Sequence, residues 1–346
     1  MKKISFVGNF NDPGFEGLVS ISLKLKKHLE GRGYRIALNN LNSDVLHVHS
    51  NGFLEAWKYR KYGGKIVYSL YSNLNQSFFG TLRYYFEYLT KYYDKRDSDF
   101  PVNVVLKNAF FSLLSSLIPL SVKRKILSKM RLVVLPNKYM WKKLKLKNSV
   151  VIPFGTDVAK FTLRKKENKN FRVAYFGHNT PLKGIPDFLS AAKILNKKKI
   201  EFCMYISNYS DNVRKRAKKY NSQIKVSGFV EDIVKAYNEC DVIVVPYRSD
   251  VASVGVPLVL IEAMSCGKTV ITSNLEYVKE VVGSSGICVN AYSPKKIAKW
   301  ILKLKNEEKL RVILGEKARK RIVENYNINS FFKKYDDLYS NLPVLK

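Results

Sequence analysis

The sequence predicts an α/β protein of two doubly wound parallel sheets in tandem, and three observations predict it. Its 346 residues are too many for one ordinary core and suit two units of about 150 residues each. Short apolar runs alternate with segments of helical periodicity, the pattern of a parallel sheet covered on both faces. The alternation stops at a polar, charged stretch, Thr162 to Asn170 (TLRKKENKN), and then begins again. Such a stretch reads as a linker.

In order, Lys3 to Val7 is a short apolar strand and Asn9 to Gly17 a turn-rich loop. Leu18, Ile21, Leu25 and Leu29 then fall at helical spacing, with Gly31 as the stop. Strands follow at Tyr34 to Leu38, Val45 to His49 and Lys65 to Leu70, and the first unit ends with strands at Arg131 to Leu135 and Val150 to Ile152. After the linker, Phe171 to Phe176 is a strand, Ile185 to Leu195 a helix and Ile200 to Ile206 a strand. A basic helix covers Asn212 to Lys219 and a short strand Gln223 to Val226. Ile233 to Asn238 is helical, Asp241 to Pro246 a buried strand, Leu258 to Ser265 a helix stopped by Gly267, and Thr269 to Ser273 a strand. From Ser293 the chain is helical, with breaks near Asn325 to Asn329.

Hydrophobic residues make up 46% of the chain, enough to fill two cores, which excludes a disordered protein. The apolar run after Met1 is cut short by Gly8, Asn9, Asn11, Asp12 and Pro13, so no secretory signal is expected. No apolar stretch reaches the ~20 residues a membrane span needs. Cys203, Cys240, Cys266 and Cys288 form no CxxC pair and read as reduced, mostly buried thiols of a cytoplasmic protein. The formal charge is +33: residues 1–170 carry 31 basic against 11 acidic residues, and the remainder 30 against 17. Such a field attracts polyanions, unless the lysines simply coat a solvated surface. No pattern of a nucleic-acid-binding module accompanies it.

Two segments carry chemistry. Gly177 to Gly184 (GHNTPLKG) directly follows a strand; a terminal glycine admits close approach by a ligand, and Lys183 stands just before a helix N-terminus, a good place for a phosphate. The second runs from Pro257 to Val270, where Glu262 is a carboxylate in an otherwise apolar helix. That placement is costly unless the group is paired or used. A carboxylate there can accept two hydroxyls at once, as a ribose diol presents them; an ordinary salt bridge is the alternative. His47 and His49 share one face of a strand, His47 reading as a core histidine and His49, at the carboxyl end, as a cleft candidate. A third metal ligand is lacking.

With those residues in view, positions 171–290 resemble the C-terminal domain of the retaining GT-B glycosyltransferases of family 4. The matching segments, in order and spacing, are Gly177 to Gly184, Gly228-Phe229-Val230, Asp241 to Pro246 and Gly255 to Val270. The first half matches more sparsely. Gly17 takes the place of a loop glycine beside the donor phosphates, and His49 that of a strand-end histidine. Ile152 to Asp157, with Phe161, resembles a hinge segment, and Tyr326 to Leu338 the last helix, which in this fold crosses back onto the first domain. The resemblance implies domains at 1–160, with 326–346 packed back on it, and at 161–325, two Rossmann-like units facing across a cleft. It implies donor-site roles for Gly17, Gly177, His178, Lys183, Val230, Leu258, Val259 and Glu262, with His49, Lys183 and Glu262 nearest the chemistry, and no metal or resident cofactor.

Four positions depart from the family pattern. His178 stands where the family has an arginine, which implies a weaker or pH-dependent grip on phosphate. Val254 replaces a glutamate that contacts the donor sugar, leaving Asp250 and Ser253 as the nearest polar groups. Tyr71 replaces a histidine, and Pro257 removes a backbone N–H near the phosphates.

The region Ser77 to Met130 bears on the acceptor. Tyr84, Tyr85, Phe86, Tyr88, Tyr92 and Tyr93 cluster with Arg83, Lys91, Lys95 and Arg96, and the apolar run Ala109 to Leu120 precedes Lys123, Arg124 and Lys125. Such a segment suits either the membrane interface or a buried helix pair. The expected activity is transfer of a hexose, with retention, from a UDP- or GDP-sugar to an acceptor hydroxyl on a lipid-linked or cell-surface polysaccharide precursor. The alternatives are a non-catalytic nucleotide-sugar binder of the same fold and a sugar-nucleotide epimerase. The expected partners are the nucleotide-sugar donor, a glycan or lipid-linked acceptor and an anionic membrane surface, with nucleic acid excluded. The expected location is cytoplasmic, peripheral on the cytoplasmic face of the membrane.

Overall fold

The computed structural model describes residues 3–8, 10, 16–50, 52–71, 78–92, 102–167, 169–207, 209–249 and 255–342. The first half runs β1 (Lys3–Val7), α1 (Glu16–Gly31), β2 (Arg35–Leu38), β3 (Val45–Ser50), α2 (Phe53–Tyr59), β4 (Ile66–Leu70), α3 (Phe78–Glu87), α4 (Val102–Leu117), α5 (Leu120–Leu127), β5 (Leu132–Leu135), α6 (Lys138–Leu144) and β6 (Ser149–Val151). Its strands form one six-stranded sheet in the order β2-β1-β3-β4-β5-β6, every pair parallel.

The side-chain alternation of a strand explains how one sheet serves two layers. Ile4, Phe6 and Val45 point to the face covered by Ile21, Leu25 and Leu29 of α1. Val7, Leu46 and Val48 point to the other, under Phe53 and Ala56 of α2 and Met140 and Leu144 of α6. Every residue of β3 and β4 is buried, as strands covered on both faces must be.

The second half runs β7 (Arg172–Gly177), α7 (Ile185–Ile194), β8 (Glu201–Ile206), α8 (Asp211–Tyr220), β9 (Lys225–Ser227), α9 (Ile233–Asn238), β10 (Val242–Val245), α10 (Leu258–Ser265), β11 (Thr269–Ser273), α11 (Glu276–Val282), β12 (Ile287–Val289), α12 (Pro294–Asn306) and α13 (Glu308–Asn325), and α14 (Ile328–Ser340) follows. The second sheet is again six-stranded and parallel, ordered β12-β11-β10-β7-β8-β9. One face packs on Phe188 and Leu189 of α7 and on Ile297 and Ile301 of α12. The other packs on Tyr237, Leu260, Ile261 and Tyr277.

Two short helices of the first half (α2, α6) and the pair α11–β12 of the second escape the periodicity reading. Each is seven residues or fewer, so no full second turn or alternation is available to reveal it. The terminal helical stretch breaks at Glu307 as well as near Asn327.

The chain returns to its beginning through α14. Thr156 N–H donates to the Tyr326 carbonyl at 2.8 Å and Ile328 N–H to the Thr156 carbonyl at 2.9 Å. Gly155 permits this approach, because a Cβ there would lie 2.6 Å from Ile328 Cα. Farther along, Asp336 pairs with His28 of α1 at 2.9 Å, whose ring stacks on Phe332 at 4.3 Å. The Tyr339 hydroxyl lies 2.6 Å from His47 Nδ1, the Ser69 hydroxyl 2.7 Å from His47 Nε2, and Tyr335 3.1 Å from Ser69. His47 is thus the satisfied core histidine that its position suggested.

Within Ser77 to Met130, α3 and α4 pair through the Tyr85 hydroxyl and Ser112 Oγ at 3.0 Å, and Tyr93, Lys95 and Arg96 lie outside the described residues. No single helix among the described residues is long and apolar enough to cross a membrane; Val105–Leu117 and Leu120–Leu127 reach that length together but meet at 94°.

Candidate functional site

The carboxyl ends of β7, β8 and β10 bring the first group of residues together. β7 ends at Gly177, whose φ of +142° is open to glycine, and the loop closes at Gly184 with φ +81°. Gly184 packs so tightly on the end of β10 that a Cβ would lie 1.8 Å from the Pro246 carbonyl oxygen. Arg248 N–H then donates to the Leu182 carbonyl at 2.8 Å. The Arg248 side chain reaches Asp187 on α7 at 2.6 Å.

Pinned between these contacts, Lys183 lies with its Nζ 4.6 Å from the centre of the Tyr247 ring. Burial pushes the Lys183 ammonium down to about 8. His178, beside it, is pushed down to about 4, first by burial and then by the Lys183 charge. Its Nδ1 lies 2.9 Å from Ser207 Oγ at the end of β8. A ring held neutral exerts no full positive charge at neutrality.

Glu262 lies in the second turn of α10, half-buried. Its Oε2 accepts from the Tyr237 hydroxyl at 3.0 Å. Burial pushes the carboxyl up to about 7 against the opposing pull of that hydrogen bond and of Lys24 and Lys160. The partner is therefore a neutral phenol rather than the cation of an ordinary salt bridge. Tyr237 in turn lies 4.4 Å, ring to ring, from Phe176 at the end of β7, so the aromatic layer of the sheet links Glu262 to the Gly177 loop. Val230, Leu258 and Val259 are partly buried against the same apolar cluster. Leu258 and Val259 form the first turn of α10, whose N-cap is Pro257, and Gly17 lies in the first turn of α1.

His49, the last residue but one of β3, is buried, with Nδ1 2.5 Å from the Tyr71 hydroxyl and 3.0 Å from Ser22 Oγ. Its Nε2 has no hydrogen-bond partner among the described residues. Burial pushes this imidazole down to about 3, so it is neutral and available to donate or accept but not to protonate. Tyr71 extends the link: its carbonyl accepts from Gly255 N–H at 2.9 Å, while Asn137 Nδ2 donates to the Gly255 carbonyl at 2.8 Å. The opening of the Gly255–Val270 segment is thereby clamped to the first half. A Cβ at Gly255 would lie 2.2 Å from Pro136 Cγ.

The sequence reading missed Tyr237, Tyr247, Ser207, Asn137 and the Arg248–Asp187 pair. Only the buried Asp187, two residues into an apolar helix start, offered a signal of the kind that singled out Glu262. Asp250, Ser253 and Val254 lie outside the described residues. Among the described residues no cluster of three or more His, Cys, Asp or Glu could hold a metal ion. A cavity of about 870 Å³ lies at the opposite, amino ends of β10 and β11. Within it Lys166 and Arg311 pair with Asp241, and Arg311 with Glu308.

Residues 157–321 match the family described as glycosyl transferases group 1. A glycosyltransferase of Methanocaldococcus jannaschii, MJ1069, carried as uncharacterized, is 29% identical over 187 residues, 52% of this chain and 47% of its own. The N,N'-diacetylbacillosaminyl-diphospho-undecaprenol alpha-1,3-N-acetylgalactosaminyltransferase of Campylobacter jejuni is 26% identical over 167 residues, 46% of this chain and 43% of its own. The chain thus spans about half the length of the curated relatives it matches. Among solved structures, sucrose-phosphate synthase of Thermosynechococcus elongatus superposes with a TM-score of 0.74 at 16% identity, covering 99% of each chain. Anabaena Alr3699/HepE in complex with UDP-glucose superposes at 0.69 and 14% identity, covering 98% of this chain and 100% of its own. At such identities the likeness is one of fold, and the fold is GT-B.

Proposed function

We propose that the chain, whose residues 157–321 match the glycosyl transferases group 1 family, is a retaining glycosyltransferase that moves a hexose from a nucleotide-diphosphate sugar to an acceptor hydroxyl. The observation that carries this reading is the convergence of Lys183, His178 and Glu262 on the carboxyl edge of one parallel sheet, where ligands of such sheets bind. We divide the chain at residue 160, with 326–346 counted to the first domain, so that the site opens onto the cleft between 1–160 and 161–325.

In this reading Glu262 accepts the two ribose hydroxyls, and the first turn of α10 at Leu258 and Val259 faces the diphosphate. Lys183 carries the cation that meets the negative charge as the glycosidic bond breaks, an interaction that strengthens as the charge grows. His178 supplies a neutral hydrogen bond where a second cation would grip harder. His49, neutral and with no partner for Nε2 among the described residues, serves as a hydrogen-bond group for the transferred sugar. Gly17 and Gly177 let backbone approach the phosphates, and Val230 belongs to the nucleotide pocket. Among the relatives, the name of the Campylobacter enzyme places its sugar on a diphospho-undecaprenol acceptor, and the Anabaena structure holds UDP-glucose. They support a UDP-sugar donor and a lipid-linked acceptor here.

Titration with UDP and with GDP tests the site. Lys183→Ala is expected to weaken the preferred nucleotide by about 10- to 100-fold, the worth of one charge-assisted contact; unchanged affinity would remove Lys183 from the site. Release of free nucleotide from a panel of donor sugars in the presence of acceptor extract separates a transferase from a binder of the same fold.

A further inference from the structure

Helices α3 and α4 turn large apolar side chains to solvent. On α3, Phe79, Leu82 and Phe86 recur at three- and four-residue intervals, and Phe79 and Phe86 are 80% and 68% exposed. On α4, Val102, Leu106, Phe110, Leu114 and Leu117 recur in the same way, all exposed, with Phe110 and Leu117 both at 63%. Each helix therefore carries an apolar stripe on the side away from its packing contacts. A soluble surface seldom leaves stripes of this kind without a purpose.

Charge says what covers them. From Phe100 to Thr156 the chain carries eleven Lys and Arg and not one Asp or Glu. Lys107 is exposed on α4, and Lys125 and Lys129 are exposed on and just beyond α5, past the 94° bend. A second copy seated symmetrically on this face would bring those like charges together. A negatively charged surface with an apolar interior meets both features at once.

We propose that α3, α4 and α5 form a docking face for an anionic phospholipid bilayer. The stripes enter the boundary between headgroups and acyl chains, and Lys107, Lys125 and Lys129 lie among the headgroups. The face is tied to the donor loop. Glu87, at the end of α3, pairs with Arg248 at 3.2 Å, and Arg248 N–H holds Leu182, the neighbour of Lys183. On the donor-site reading above, a docked hairpin thus sets that loop at the membrane surface, where a lipid-linked hydroxyl is presented.

Co-sedimentation tests the docking without any appeal to catalysis. The full chain is mixed with phosphatidylcholine vesicles, or with vesicles in which about a third of the lipid is phosphatidylglycerol, at low and at high salt. Binding to the anionic vesicles is expected to be at least about tenfold tighter and to weaken with salt. The variant Phe79→Ser/Phe86→Ser/Phe110→Ser is expected to lose about tenfold or more in partitioning, with circular dichroism and nucleotide affinity as in the parent chain. Lys107→Glu/Lys125→Glu/Lys129→Glu is expected to lose the preference for anionic lipid, each cation being worth roughly fivefold near the surface. Failure of the parent chain to bind either vesicle, or equal binding by parent and phenylalanine variant, overturns the proposal. So does a lipid-free dimer in sedimentation equilibrium that the phenylalanine variant dissociates, which would make this face a contact between copies.

Discussion

Burial drives Glu262 up to about 7 and Lys183 down to about 8, so the two groups are ionised together only within a narrow band. Nucleotide affinity is therefore expected to rise as pH passes upward through about 7, where Glu262 becomes an acceptor for the ribose. It is expected to fall again above about 8 as Lys183 loses its proton. Calorimetric titration with UDP from about pH 5.5 to 9.5 checks the profile. Glu262→Gln should flatten the acid limb and weaken binding about 10- to 100-fold, leaving the alkaline limb in place. The same burial has a sign for stability. A carboxyl whose folded value is raised favours the fold below its unfolded value and costs stability as pH rises through about 7, so Glu262→Gln should unfold at a higher temperature than the parent at alkaline pH. Retention of a group that costs stability is what a ligand-binding role predicts.

The loop from Gly177 to Gly184 owes its shape to glycines that other residues cannot replace. Gly184→Ala combines φ +81° with a Cβ 1.8 Å from the Pro246 carbonyl oxygen. It should cost about 2–4 kcal/mol in denaturant unfolding and abolish nucleotide binding. Gly255→Ala acts differently, forcing a shift against Pro136 at the seam between halves. It should lower kcat/KM more than about tenfold while nucleotide affinity changes little, since the clamp aligns the halves rather than touching nucleotide; steady-state kinetics beside titration separate the two effects. These elements also show what the sequence could disclose. The strands and long helices were legible because burial on both faces, or on one stripe, leaves a period in the sequence. Glu262 was legible because it broke an apolar run, and Lys183 because it followed a strand and preceded a helix. Tyr237, Tyr247 and Phe176 were not, since an aromatic that supports a site and one that fills a core have the same local pattern. Asn137 acts on a carbonyl 118 positions away, a contact only the fold creates.

Across the whole molecule the two halves share one apolar cluster, which passes from the first sheet through Phe154, Phe331, Tyr326 and Ile322 to the second. A chain knit this way should unfold in one transition, and the buried histidines of β3 should weaken it toward acid. His49 is pushed down to about 3 and His47 well below its ordinary value, both first by burial. Groups depressed in the fold give stability that is complete above about 6.5 and lost as pH falls toward about 3. For His49 this amounts to on the order of 5 kcal/mol across that window. Thermal melts from about pH 7 to 4 should show a steep loss below about 6 that His49→Gln lessens.

The return of α14 to the first sheet also sets an order in time. His47 and Ser69 are synthesised 292 and 266 positions before Tyr339 and Tyr335, whose hydroxyls satisfy them. The core of the first half is therefore finished only when α14 has left the ribosome, so during translation that half must wait, compact but unsealed, while the second folds beside it. A chain stopped at Asn325 should carry a complete second half and a first half that still binds a hydrophobic dye, although every one of that half's strands has been made.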